Sequence, residues 1–191
     1  THSAKTTPQQ ATDRLETATP RTQPRQRVDG LVRRGNVLIR PNALQEEAVR
    51  ELASDLPPEN IFAEPAKRDT GPAVALGIGL VAARDPDATM MVLPADHLVE
   101  DTAAYHSVMN DALATAAASD GLVTVGIKPT WACPSYGYVE RGERAVLNGL
   151  DLTNHPYEVV RFREKPEPAQ AEEYLASGNF TWNAGIFIWS V

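Results

Sequence analysis

The sequence predicts an α/β fold, with a parallel sheet covered on both faces by helices. Two observations predict it. Short apolar runs alternate with stretches in which apolar residues recur at helical spacing, and that alternation builds a sheet with helices packed on it. The runs Thr89–Leu93 and Leu122–Ile127 are apolar almost throughout rather than on every second residue, the pattern of strands buried on both faces.

The elements follow in order. Thr1–Gln26 holds Pro8, Pro20 and Pro24, many Thr and Gln, and hardly a large apolar residue; Ala11–Ala18 is its one candidate for a short helix. Arg25, Arg27, Arg33 and Arg34 cluster around Gly30 and Gly35, so residues 1–36 read as an irregular, solvated N-terminal segment and residues 37–191 as the regular domain. Val37–Ile39 is an apolar run closed by Pro41-Asn42. Leu44, Ala48, Val49 and Leu52 then recur at helical spacing over residues 43–54, and Leu56-Pro57-Pro58 ends that helix. Ile61–Ala63 reads as a short strand. Pro72–Ala83 reads as a deeply packed helix, with Pro72 near its first position, Asp69 or Thr70 as its cap, and Gly77 and Gly79 allowing close approach. A third helix spans Thr102–Ala118 and ends at Asp120-Gly121. Beyond Ile127 the pattern changes: Tyr136–Arg141, Ala145–Leu147 and Tyr157–Phe162 read as antiparallel excursions. Pro168–Ala176 is a short helix with Gly178 just past its end, and Ile186–Val191 is a final strand.

Composition narrows the function classes. The chain has 191 residues, 42% hydrophobic and 23% charged, which excludes wholesale disorder. With 18 Lys+Arg against 25 Asp+Glu, the net charge of -7 argues against a general nucleic-acid binder. No apolar stretch approaches the length of a membrane span, the N-terminal residues show no apolar signal core, and the single Cys133 cannot pair within the chain; together these predict a cytoplasmic protein. A homo-oligomer is compatible with all of this.

Several stretches carry chemistry. Leu93-Pro94-Ala95-Asp96-His97 follows a buried strand, where ligands bind in open α/β sheets. Asp96 there either holds a hard cation such as Mg²⁺ against phosphate oxygens or caps the following loop, and His97 reads as a structural neighbour. Glu64–Pro72 leads into a helix N-terminus, which favours an anion or the polar edge of a ligand; the alternative is a capped loop whose Lys67 and Arg68 are solvated. In Phe162-Arg163-Glu164-Lys165-Pro166, Glu164 can accept hydrogen bonds from sugar hydroxyls and Lys165 can bind phosphate as a point charge. Gly137, between Tyr136 and Tyr138, lets backbone approach a ligand closely. Asn183, in Trp182-Asn183-Ala184-Gly185, offers a donor and an acceptor or simply forms a turn. No catalytic triad, Walker loop, dinucleotide glycine fingerprint or Cys/His metal spacing is present in the sequence, and Cys133 lacks an obvious base.

Taken in order, Glu64–Leu76, Leu93–His97, Val123–Thr130, Tyr136–Tyr138, Phe162–Pro166 and Trp182–Trp189 form a specific series. Over about residues 37 to 191 the chain resembles the sugar-phosphate nucleotidylyltransferases, and within them the mannose-1-phosphate guanylyltransferases, or GDP-mannose pyrophosphorylases. The resemblance implies a Rossmann-like mixed, mainly parallel sheet flanked by helices, of the nucleotide-diphospho-sugar transferase type. It implies the reaction of GTP with mannose 1-phosphate to give GDP-mannose and pyrophosphate, by positioning and charge neutralisation. By resemblance Asp96 is the Mg²⁺-binding and catalytic aspartate and Lys165 the catalytic lysine facing the sugar phosphate. Gly137, Glu164 and Asn183 are the other sugar-binding positions. Glu64, Arg68, Asp69 and Thr70 lie in the nucleotide-binding region.

The chain also departs from that family. The family opens with a strand and a glycine-rich loop that cradles the triphosphate, and Thr1–Gly35 carries no match to it, which favours inactivity of these 191 residues by themselves. Together with the apolar strand on which the sequence stops, this predicts a domain incomplete at both ends. Two other readings stand beside the guanylyltransferase. One is a non-catalytic relative that binds sugar nucleotide or pairs with an active subunit. The other is a same-fold transferase using another nucleotide, such as a glucose-1-phosphate thymidylyltransferase.

Overall fold

The structure is a computed structural model that describes residues 27–63 and 70–191. These fall into two compact units. The first takes in the described residues up to Ala73 together with Pro94–His106, and the second Val74–Leu93 and Ser107–Val191.

In the first unit, the helix expected over 43–54 is shorter: α1 spans Glu46–Leu52. The Asn42 side chain accepts a hydrogen bond from Gln45 N at 3.0 Å, so the expected first turn is taken by a side-chain turn instead. Arg50 ties the helix to the segment after it. Its guanidinium pairs with Glu46 one turn earlier at 2.8 Å and donates to Pro58 O at 2.8 Å and Ile61 O at 2.6 Å. Ala53, Leu56 and Ile61 form a small core with Val37, Ile39 and Val49 packed on it. The buried Asn60 amide donates to Gly35 O and Val37 O at 2.8 and 2.9 Å, which satisfies carbonyls that no ladder reaches. The expected strand at Ile61–Ala63 is reduced to one parallel bridge, Ile39↔Ile61.

Helices α2, Thr70–Arg84, and α3, Thr102–Ala117, contribute residues to both units. Asp101 Oδ1 accepts from Ala104 N at 2.9 Å, an N-cap that starts α3. The α2 helix is less enclosed than its composition suggests, for Ala73 is buried but Leu76 is 38% exposed. Of its three glycines only Gly77 marks a close approach: a Cβ there would lie 3.0 Å from Met90 Cε, whereas nothing stands within 4 Å at Gly71 or Gly79.

The second unit is built on five strands: β1 Thr89–Val92, β2 Val123–Ile127, β3 Tyr138–Arg144, β4 Tyr157–Arg163 and β5 Phe180–Ser190. Ala145–Leu147, expected as an excursion, is loop. Helix α4, Pro168–Ser177, has Pro168 in its first turn and ends at Gly178 with φ +72°, the left-handed stop expected of a glycine there. The α/β architecture is as the sequence predicts, but the parallel pairing is not. β5 pairs antiparallel with β1, β2 and β3, and β3 pairs antiparallel with β4. β1 and β2 do run the same way, because each opposes β5; β5 lies between them. An apolar run reports that a strand is covered on both faces and says nothing of the direction of the strand beside it.

The last strand also begins six residues earlier than Ile186, at Phe180, so Trp182–Gly185 lies inside it rather than before it. Buried positions alternate at Ala184, Ile186 and Ile188, as a half-covered strand requires. On the α4 side the core is Tyr138, Ala171 and Phe180, with Tyr174 stacked on Phe180 at a ring separation of 4.0 Å. No helix of the described residues is long and apolar enough to cross a membrane.

Candidate functional site

The β5 strand contains the local irregularity that makes a site. Thr124 opposes Phe187 and Gly126 opposes Asn183, so three residues of β2 face five of β5. The surplus falls at Ala184-Gly185, where Gly185 takes φ +67°. Such a bulge bends the strand and re-aims a side chain. Here it folds the Gly185 N–H back onto Asn183 Oδ1 at 3.1 Å, and Thr124 Oγ1 lies 3.3 Å from the same oxygen and 3.1 Å from Ile186 O. The amide oxygen is thereby taken up inside the sheet, and no hydrogen bond to another described residue engages the NH₂ group. Gly126 is obligatory at this crossing, since a Cβ would sit 2.7 Å from Thr181 Cβ.

Tyr136-Gly137 is strapped beside Asn183 by its own backbone. Lys165 N donates to Tyr136 O at 3.2 Å and Asn183 N donates to Gly137 O at 2.8 Å. The loop before it is closed by Cys133 N donating to the buried Tyr138 hydroxyl at 2.9 Å. A Cβ on Gly137 would stand 2.8 Å from Glu164 Oε2, 2.9 Å from Phe162 Cζ and 3.5 Å from Asn183 Cβ. Two stretches far from Gly137 in sequence, Phe162–Glu164 and Asn183, therefore meet around the bare face of that glycine.

Lys165 completes the cluster. Its Nζ lies 3.5 Å from Glu164 Oε1, with both side chains more than half exposed. Its backbone has φ +43°, the one positive φ among the described non-glycine residues. A residue with a Cβ costs about 1 to 3 kcal/mol there and persists only where its surroundings dictate it, as happens at ligand clamps. Carboxylate, ammonium, amide and an open stretch of backbone at one spot can recognise a polyhydroxylated anion.

The remaining predicted positions lie in the first unit or outside the described residues. Asp96 belongs to the first unit and is exposed. Among the described residues no three His, Cys, Asp or Glu side chains group closely enough to hold a metal ion by themselves. A lone exposed carboxylate suits Mg²⁺, which keeps water and phosphate oxygens as most of its ligands. Thr70 is the exposed first residue of α2. Glu64, Arg68 and Asp69 lie outside the described residues.

Two functional candidates have no counterpart in the sequence reading. Thr124 sits in a run that reads only as strand, and nothing local marks it as the orienter of Asn183. Arg27 is one of four clustered arginines, yet it is 5% exposed. Its Nη1 donates to His97 O at 3.0 Å and its Nη2 to Pro94 O. Burial lowers its pKa from the ordinary arginine value, while the Tyr105 and Asp96 charges work in the opposite direction. Burial likewise raises the Tyr105 hydroxyl above its ordinary value, and Arg27 offsets part of that.

Comparisons with known proteins bear on the family and the fold. A mannose-1-phosphate guanylyltransferase from Klebsiella pneumoniae is 40% identical over 130 residues, 68% of this chain and 26% of that protein. Mannose-1-phosphate guanylyltransferase 2 from Escherichia coli O157:H7 is 44% identical over 135 residues, 68% of this chain and 27% of that protein. The chain thus spans about a quarter of the length of these curated relatives. A crystal structure described as mannose-1-phosphate geranyltransferase from Thermus thermophilus superposes with a TM-score of 0.76 at 31% identity, covering 92% of this chain and 48% of that one. The nucleotidyl transferase family model matches residues 36–191, and the chain belongs to that family.

Proposed function

We propose that this chain carries the sugar-phosphate side of a mannose-1-phosphate guanylyltransferase, which joins GTP and mannose 1-phosphate to give GDP-mannose and pyrophosphate in the cytoplasm. The observation that carries the reading is the convergence of Glu164, Asn183 and Lys165 on Gly137. Glu164 accepts hydrogen bonds from sugar hydroxyls. The Asn183 NH₂ donates to another, since Thr124 and Gly185 N occupy its oxygen. Gly137 lets the ring lie against backbone, and the Lys165 ammonium takes the sugar phosphate.

In the reaction a phosphate oxygen of the sugar attacks the α-phosphorus of GTP. The new P–O bond forms as the bond to the β-phosphate oxygen breaks, and pyrophosphate leaves. The residues make no covalent intermediate; they hold nucleophile and electrophile in line. Asp96 would hold Mg²⁺ together with phosphate oxygens, where the ion neutralises developing negative charge. Glu64, Arg68, Asp69 and Thr70 would contact the nucleotide, with the helix N-terminus at Thr70 favouring its polar edge.

The test is pyrophosphate release by the full-length protein with Mg²⁺, comparing GTP plus mannose 1-phosphate with dTTP plus glucose 1-phosphate. Turnover with the first pair is expected. Preference for the second pair would overturn the substrate assignment, and folded protein without turnover on any sugar phosphate would overturn the catalytic reading.

A further inference from the structure

We propose that Arg27 is the positioning residue for Asp96: its buried guanidinium grips the main-chain carbonyls on either side of that aspartate and so fixes where the carboxylate meets the metal-bound phosphates. The proposal rests on the reading of Asp96 as the Mg²⁺ ligand.

Pro94 O and His97 O, which accept from the two Nη groups of Arg27, bracket Ala95-Asp96. A planar fork that binds two carbonyls at once sets both their separation and their plane, which a single donor cannot do. The fork is itself held. Arg27 is 5% exposed, and its own carbonyl accepts from His106 Nε2 at 2.9 Å, in the first turns of α3. The Asp101 cap at the start of that helix holds the far end of the loop. A buried cation is costly unless its donors are paired; Arg27 Nε has no partner among the described residues, so the two carbonyls carry the pairing, and any movement of the loop that released them would leave charge uncompensated. Both Nη groups are spent on carbonyls rather than on the Asp96 carboxylate, which stays exposed and free to bind metal. The arrangement is a basic side chain that acts on a metal ligand through backbone, and substitution of such outer partners typically weakens metal affinity about 10- to 100-fold.

The experiment measures Mn²⁺ affinity of the full-length protein in the presence of GTP, by electron paramagnetic resonance, for wild type, Arg27→Met, Arg27→Lys and Asp96→Asn. Alongside it run the KM values for Mg²⁺ and mannose 1-phosphate and amide hydrogen exchange at residues 95–98. Arg27→Met is expected to weaken Mn²⁺ about tenfold or more and to leave the KM for mannose 1-phosphate within about twofold. Arg27→Lys, which can serve one carbonyl at a time, is expected to fall between, with faster exchange at residues 95–98. Wild-type Mn²⁺ affinity in folded Arg27→Met, with affinity lost in Asp96→Asn, overturns the role of Arg27 and leaves that of Asp96 intact. Wild-type affinity in Asp96→Asn overturns the Asp96 reading instead. If Arg27→Met does not fold, Arg27→Lys decides: unchanged exchange and unchanged Mn²⁺ affinity overturn the proposal.

Discussion

Replacing Gly137 by alanine separates a ligand-approach role from a packing role at the proposed sugar site. The added Cβ would lie 2.8 Å from Glu164 Oε2 and 2.9 Å from Phe162 Cζ, where ordinary contact begins at 3.4 Å, so both atoms must retreat by about 0.5 Å. Both are free ends of side chains with room to move, Phe162 being 48% exposed and the Glu164 side chain 58%. The stability cost therefore lies near the low end for overpacking, about 1 kcal/mol, which shifts the melting temperature by roughly 2 to 4 °C. The functional cost is larger. A carboxylate displaced from its place loses at least one charge-assisted hydrogen bond to the sugar, about 1.5 to 3 kcal/mol, or roughly 10- to 150-fold in affinity. Calorimetric titration of the full-length variant with mannose 1-phosphate reads this directly, with the KM for GTP as internal control. Wild-type affinity for mannose 1-phosphate in a folded variant would refute the sugar site. A melting temperature more than about 10 °C below wild type would show that the close approach serves packing.

Other perturbations test neighbouring claims. Asp96→Asn is expected to remove most turnover while leaving the melting temperature within a few degrees of wild type, since the carboxylate is exposed; an unchanged rate removes it from the metal site. Tyr105→Phe is expected to be neutral or stabilising by up to about 1 kcal/mol at pH 7, because the buried hydroxyl has no hydrogen-bond partner among the described residues. The same variant tests a pH dependence. The Tyr105 pKa is raised in the folded chain, so its contribution is intact below the ordinary tyrosine value near 10 and is lost as pH rises through the higher folded value. Thermal melts between about pH 9 and 11 should therefore fall less steeply for the phenylalanine variant, and identical slopes would contradict the shift. Lys165→Gly is expected to raise the melting temperature by relieving about 1 kcal/mol of strain at φ +43°, while weakening mannose 1-phosphate binding at least tenfold. A less stable or fully active variant would contradict the reasoning.

What could be read from the sequence was what depends on near neighbours. The helix at Pro168 with its glycine stop, the helix starting at Thr102 and the strand at Thr89 are set within a few residues of themselves, and each formed close to where its pattern placed it. Strand direction was not legible, because Met91 shows the same apolar neighbours whether the adjacent strand runs with it or, as β5 does, against it. Trp182–Gly185 read as a turn because Asn and Gly favour turns, and the same two residues also make the bulge by which β5 continues without stopping. Arg27 was invisible for the strongest reason: the carbonyls that make its burial tolerable lie 67 and 70 residues away. Gly137, Glu164, Lys165 and Asn183 could be picked out one at a time by residue type, but their meeting depends on β4 and β5 both ending their pairing beside the same glycine.

That meeting also bears on why a lysine stands at 165. Its amide must donate to Tyr136 O for the Tyr136-Gly137 strap to hold, and its backbone sits in the left-handed region while doing so. Glycine would fill that backbone role without strain. The side chain therefore has to contribute something the backbone does not, and among the described residues its one charged contact is Glu164, exposed and 3.5 Å away. An exposed pair of that kind stabilises the fold by little. Stability thus does not account for the lysine, and the phosphate contact proposed for its ammonium would.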